Sequence, residues 1–407
     1  MTGEAGNDRD PAGNPGLPDR DAVGAVASLP AVWLRDNCQC RSCRDSATGM
    51  RLLKVSDLPA EISVAAVRRS GDLIEVEFAP DGHRSVFAAE WLGQFADRAG
   101  SPDARPEQQQ LPRGRPGRGA DSRGEDGRSE DAKRLWTGPE IGPDFAQGSW
   151  PLFVADAAHQ EACLTAVLRD GFVVLSDVPC EPGAILAVAE LISVVRETEY
   201  GRLIDVQVAA APSDPAYSQS AYDLSTAQPY RDPMSTLKLL HCLSDAGEGG
   251  ESLLVDGFRA AAKLRAMDPD SFAILTRTMV TFAYADARME HRATRPIIAL
   301  DPRGRIREVR FGHWYLQPVR LPASEIVGFY HAYRAFAELI SRPDRMLKFK
   351  LRPGDCLILD NTRVLNGRTG FSGSGQRHLQ ACFADLDGLA SALALLRRRR
   401  QNGRARH

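Results

Sequence analysis

Three cysteines within six residues, Cys38, Cys40 and Cys43, constrain this chain more than any other feature. At Cys-x-Cys-x-x-Cys spacing three thiolates can converge on one tetrahedral ion, and a fourth ligand is needed to close it. His83, in Pro80-Asp81-Gly82-His83, follows an apolar run ending near Phe78 and sits on a turn that brings it back. A closed Cys₃His zinc site leaves no position for water or substrate, so it is structural, and it supplies much of the folding energy of a small unit. The alternative is three neighbouring thiols without a metal and an ordinary turn histidine. The clustering favours the metal, because Cys163, Cys180, Cys242, Cys356 and Cys382 are scattered among apolar neighbours. Those five read as reduced thiols acting as small hydrophobes.

Around this cluster, Ala31–Leu34, Leu52–Val55 and the alternating run Leu73–Phe78 predict a small β-rich zinc domain over 30–97. Residues 1–29 are rich in Gly, Pro and Asp without periodicity and predict disorder. A second low-complexity stretch, 98–134, reads as a flexible linker or insertion separating two folded units. Over 135–396 short strand-like runs alternate with fewer helical segments: helices near 162–169, 183–194 and 324–340, and strands near 172–175, 237–243, 252–255, 356–359 and 378–384. That pattern predicts a mainly β fold, a barrel or jelly roll with flanking helices. The basic run in 397–407 reads as a solvated, frayed tail.

Composition narrows the function classes. The 407 residues are 43% apolar with a formal net charge of −2, which gives no bulk electrostatic reason to expect nucleic acid or an acidic membrane as partner. Apolar runs fall short of a bilayer span and the first residues do not read as a signal peptide, so a cytoplasmic location is expected.

Several motifs, in order, resemble one family. Trp33-Leu34-Arg35-Asp36-Asn37-Cys38 with the following cysteines is similar to the N-terminal zinc domain of γ-butyrobetaine and trimethyllysine dioxygenases, of the taurine dioxygenase-like 2-oxoglutarate oxygenases. Gly171-Phe172-Val173-Val174-Leu175, Arg196-Glu197-Thr198-Glu199-Tyr200-Gly201, Leu239-Leu240-His241-Cys242 and Gly249-Gly250-Glu251-Ser252 continue it. So do Val255-Asp256-Gly257-Phe258, Pro353-Gly354-Asp355, Asp360-Asn361-x-Arg363 and Arg377-His378-Leu379. The resemblance implies a double-stranded β-helix core and a homodimer. It also implies Fe(II) held by a His-x-Asp pair and a distal His, with open positions for 2-oxoglutarate and O₂.

Set on the surrounding landmarks, the His-x-Asp position reads Ala221-Tyr222-Asp223 and the distal His position reads Asn366. Alanine has no lone pair to offer and an amide is a poor substitute for imidazole, so the triad predicts little hold on Fe(II). The cosubstrate end differs: Arg377 matches the arginine that grips a 2-oxoglutarate carboxylate, and Ser252 matches an assisting hydroxyl. Pairing of Arg377 with an internal acid is the other reading. Tyr200 and Phe383 match aromatics around a quaternary ammonium, whereas Ile204 and Ser213 stand where further cage aromatics are expected.

The leading expectation is therefore an enzyme without the standard iron triad, acting on a small carboxylated, amine-bearing metabolite. Asp223, Tyr222 and His313 are its candidate acid, base or positioning groups, and Tyr200, Phe383 and Asn366 its candidate pocket. Structural zinc is the expected metal, with 2-oxoglutarate or a similar carboxylate as small-molecule partner. An Fe(II)/2-oxoglutarate dioxygenase with substitute ligands and a non-catalytic scaffold remain the alternatives.

Overall fold

In the computed structural model the described residues are 24, 26–45, 49–96, 133–142, 145–207, 218–245, 247–286, 288–372 and 377–404. The expectations for 1–23, for most of the linker (97–132) and for Ser213 fall outside them. The first apolar run of the β-rich unit lies in a helix, Ala31–Asp36. Its apolar residues sit at helical spacing, and Trp33 and Leu34 are fully buried while Pro30 provides the entry. Strands β1 (Ser63–Ser70), β2 (Leu73–Ala79) and β3 (Arg84–Ala88) form an antiparallel meander. In β2, Ile74, Val76 and Phe78 point inward and Leu73, Glu75 and Glu77 outward, as the alternation requires.

This unit is not an isolated domain. Trp33, Ile74 and Phe78 share one apolar core with Phe311, Tyr330 and Phe336 of the rest of the chain. Trp33 Nε1 donates to Val319 O at 3.0 Å. Arg51 is bound at the junction by Asp36, by Asn37 Oδ1 at 3.0 Å and by Leu316 O at 3.2 Å, and the Tyr330 hydroxyl donates to Asp36 at 2.7 Å. The sequence separates the two units, but burial of a common apolar face joins them.

The larger unit is built from two facing sheets. Its strands are β4 (Gln147–Ser149), β5 (Phe172–Ser176), β6 (Ile204–Val206), β7 (Tyr222–Ser225), β8 (Leu237–Asp245), β9 (Ser252–Asp256), β10 (Leu347–Phe349), β11 (Cys356–Asp360), β12 (Val364–Arg368) and β13 (Arg377–Ala384). One sheet has the order β4-β5-β11-β8-β13-β6 and the other β10-β9-β12-β7. Between them lie Phe172, Val174, Leu254, Leu357, Leu359 and Val364. The central strands β5 and β11 read as unbroken apolar runs because the helices Ala157–Asp170 and Ala184–Glu190 cover their other side. The helix Ala157–Asp170 starts on Asp156, whose carboxylate accepts from Ala158 N at 2.9 Å, and stops at Gly171 in the left-handed region. A side chain at Gly171 would also meet Val364 Cγ2 at 2.6 Å, so the turn into β5 requires glycine twice over.

At the other end the expected frayed tail is helical through Arg404, in the helix Leu386–Arg404. Leu389 and Leu393 bury one face of it, and Arg397 and Arg400 both pair with Glu161, which orders the basic run.

Candidate functional site

The four predicted zinc ligands meet. Cys38, Cys40 and Cys43 Sγ stand 3.2, 3.6 and 3.7 Å from His83 Nε2, and all four ligand atoms lie within 4.8 Å of one another. A tight turn between β2 and β3 delivers the histidine: Gly82 N donates to Phe78 O at 2.9 Å, with Gly82 at positive φ. Asp81 then orders the site from outside, accepting from His83 N at 3.2 Å and from Arg35 Nε at 2.8 Å. Arg35 Nη1 in turn lies 3.3 Å from Cys43 Sγ. A hydrogen bond from Cys38 and the Arg35 guanidinium draw the Cys43 thiol down to about 5, toward the thiolate a metal needs. This is the donor set of a closed, structural zinc site.

A cavity of about 360 Å³ opens where the zinc unit meets the outer side of the four-stranded sheet and the helix Ala323–Ser341. Tyr222, Asp223 and His313, the expected acid–base groups, all line it, and Lys54 and Arg368 join them. Asp223 reaches this side through a β-bulge. Tyr222 pairs with Arg368 and Ser225 with Asn366, so two residues of β7 lie opposite Gly367 alone. A side chain at Gly367 would meet Tyr222 O at 2.8 Å, which is why the bulge faces a glycine. So aimed, Asp223 Oδ1 accepts from Lys54 Nζ at 2.7 Å, while Oδ2 is 3.7 Å from His313 Nε2.

Burial pushes the His313 imidazole down to about 3, and the nearby cations Lys54 and Arg51 add to the effect. The Asp223 carboxylate is already committed to Lys54, so it does not offset that burial. His313 is therefore neutral at physiological pH, and its Nε2 is buried with no hydrogen-bond partner. A sign follows for stability. The folded state resists protonation that the unfolded chain accepts near 6.5, so stability falls as pH drops from about 6.5 towards 3, at up to about 1.4 kcal/mol per pH unit. His313→Gln should flatten the acid limb of the urea-midpoint profile over that window. An unchanged slope would show that His313 does not titrate this way.

The expected pairing of Asp223 with Asn366 around one centre is not formed. Residues directly opposite one another in an antiparallel ladder share a face, and Asn366 is opposite both Ser225 and Leu254. Leu254 belongs to the core between the sheets, so Asn366 and Ser225 point inward, away from the Lys54 side. Inside, Asn366 Oδ1 accepts from Lys238 Nζ at 3.0 Å. Tyr200 and Phe383 do come together, packed with Ile204, Ala227 and Ala381 at the β6 end of the same interior. Glu199 beside them is buried against Gln228, Tyr230 and Arg231.

Arg377 stands near an internal acid, with Nε 3.5 Å from Asp245 Oδ2 and both side chains buried. Arg368, opposite Ser252 in the ladder, lies across the ring of Phe371 from Arg377. The expected acid partner is thus present, but it is shared, because Lys350 Nζ is also 3.5 Å from Asp245. Sequence reasoning missed Lys54, Lys238 and Arg368. Lys238 carried a readable signal: it breaks the apolar run Leu237-Lys238-Leu239-Leu240 of a largely buried strand.

Two family profiles cover these units. The profile described as taurine catabolism dioxygenase TauD, TfdA family matches residues 137–383, and γ-butyrobetaine hydroxylase-like, N-terminal matches residues 20–93. A γ-butyrobetaine dioxygenase of Pseudomonas sp. (strain AK-1) is 34% identical over 93% of this chain and 92% of its own length. A trimethyllysine dioxygenase of Meyerozyma guilliermondii is 29% identical over 94% and 95%, and the human γ-butyrobetaine dioxygenase 28% over 92% and 92%.

Proposed function

Because the chain belongs to the TauD/TfdA dioxygenase family, we propose that it is an enzyme of γ-butyrobetaine dioxygenase ancestry. It turns over a small carboxylated, amine-bearing metabolite without an Fe(II) facial triad. The observation that carries this reading is the position of Asn366, opposite Ser225 and hydrogen-bonded to Lys238. The donors there do not fit an iron ion: an amide, a hydroxyl and an ammonium replace imidazole and carboxylate, and a fixed cation disfavours a second one. Asp223, the remaining carboxylate of the predicted triad, is turned outward to Lys54. Among the described residues, the zinc ligands are the group of His, Cys, Asp and Glu side chains close enough to share an ion.

The chemistry this leaves is acid–base and electrostatic. Neutral His313 presents a ring nitrogen as acceptor or donor, Asp223 is held as a carboxylate partner of Lys54, and the Tyr222 hydroxyl lies 3.4 Å from Ser225 Oγ. The open cavity supports an enzyme over a scaffold with a filled pocket.

Substrate turnover tests this reading. The chain is incubated in chelator with a panel of small carboxylated amines, and products are followed by mass spectrometry. Conversion is expected without iron, and on the order of a hundredfold less of it in Asp223→Asn or His313→Gln. Succinate formation that requires Fe(II), 2-oxoglutarate and O₂ would instead establish the second reading, a dioxygenase with substitute ligands. One contact favours that reading, the 3.7 Å approach of His313 to Asp223.

A further inference from the structure

The cavity between the zinc unit and the four-stranded sheet has one charged corner and apolar walls. In the corner Lys54 and Asp223 form an ion pair whose side chains are 40% and 31% exposed, so water reaches it. The walls include Leu253, Phe311, Tyr333, Ala337 and Met346. Of these, Phe311, Tyr333 and Ala337 are buried. Arg368, the other charged residue of the described lining, donates through Nη2 to Ser218 O and Ser220 O and lies over the ring of Phe371.

His313 completes the charged corner. Its side chain is more than nine-tenths buried, and Nε2 stands without a hydrogen-bond partner, 3.7 Å from Asp223 Oδ2. A neutral imidazole offers one ring nitrogen as an acceptor, and burial keeps this ring neutral. Asp223 spends Oδ1 on Lys54, while Oδ2 faces the histidine. A buried acceptor without a partner carries a penalty that a ligand N–H removes. Lys54, Asp223 and His313 together carry no net charge. A lone cation would be repelled there by the Lys54 ammonium and a lone anion by the Asp223 carboxylate, whereas a group bearing both charges is matched by both.

We propose that the cavity takes an α-amino acid with an apolar side chain: its ammonium on Asp223 Oδ2 and His313 Nε2, its carboxylate on Lys54, its side chain along Leu253, Phe311 and Met346. The inference rests on the reading above of this cavity as the site for a carboxylated amine, and adds that both charges stand on one carbon. The spacing carries it. Lys54 Nζ and Asp223 Oδ1 are 2.7 Å apart, so the charges that complement them are neighbours as well. A ligand with its charges at opposite ends of a chain would bury one of them against Phe311 and Tyr333, where an unpaired charge is costly.

Calorimetry on the zinc-loaded full chain tests it with two isomers of equal charge, L-norleucine and 6-aminohexanoate, and with hexanoate. Norleucine is expected to bind at least about tenfold more tightly than either of the others. Lys54→Met and Asp223→Asn should each weaken norleucine on the order of tenfold to a hundredfold, with Lys54→Arg restoring part of the first loss. Ala337→Leu, which narrows the apolar end, should weaken norleucine and leave alanine unchanged. Thermal melting of each variant confirms that it is folded. Binding of 6-aminohexanoate as tight as that of norleucine would overturn the placing of both charges on one carbon, as would norleucine binding that neither Lys54→Met nor Asp223→Asn changes. If norleucine fails to bind while the turnover assay above converts another carboxylated amine in an Asp223-dependent way, the ligand class is wrong and the reading of the cavity stands. If norleucine fails to bind and no carboxylated amine is converted, both fall.

Discussion

Replacing Cys43 with serine is expected to empty the zinc site and to destabilise the chain by on the order of 5 kcal/mol or more. The cluster closes a small meander onto the loop that follows the helix Ala31–Asp36, beside the ion pair of Arg35 with Asp81. Arg35 would lose its sulfur partner, and Asp81 would order a histidine with nothing left to ligate. The effect reaches the cavity, because Lys54 belongs to the same unit and is the partner of Asp223. Elemental analysis should fall from about one zinc per chain to none. Thermal melting should show an earlier transition, and the same loss should follow chelation of the wild type. Retention of zinc by Cys43→Ser with an unchanged melt would show that the cluster is not a metal site.

The second large effect is expected at Asp256. This fully buried carboxylate receives Arg363 through two hydrogen bonds, at 3.1 and 2.8 Å, and also Trp136 N at 3.1 Å. It caps the helix Gly257–Met267 as well, accepting from Phe258 N at 3.0 Å and Arg259 N at 3.3 Å. Asp256→Ala leaves the Arg363 charge buried and uncompensated, which costs about 3 to 5 kcal/mol, and removes a cap worth about 1 kcal/mol more. Asp256→Asn keeps an acceptor for the cap and should lose less. Urea unfolding reads both as a fall in midpoint at constant slope. A loss below about 1 kcal/mol for the alanine variant would mean that Arg363 finds another partner.

The fold was legible where one force dominates. The apolar runs of β5, β8, β9, β11 and β13 stand close to where they were expected, because strands packed between helices and a facing sheet are apolar throughout. Cys38, Cys40, Cys43 and His83 converge as their spacing predicts. Errors arose where tertiary contacts decide. The Ala31–Leu34 run suits a strand as well as a helix until Trp33 is seen buried against the larger unit. The basic end reads as frayed, but Glu161 pairs with Arg397 and Arg400 and the run is helical, while Arg398, Arg399 and Arg400 stay exposed as expected. In the site, the sequence reading rested on residue types at Ala221, Asp223 and Asn366, but register was not readable. A one-residue bulge opposite Gly367 turns Asp223 outward and sets Ser225, not Ala221, against Asn366. Lys238 was overlooked because one lysine in an apolar strand looks like an edge residue until the opposite sheet is in place.

The central claim is that this chain keeps the family's zinc unit and barrel while the interior that would hold iron carries Lys238 and Asn366 instead. Metal content after anaerobic loading with Fe(II), followed by gel filtration and elemental analysis, tests it most directly. About one zinc per chain and no retained iron is the expected result. Stoichiometric iron that tightens 2-oxoglutarate binding would contradict it and would assign the chain ordinary iron-dependent oxygenase chemistry.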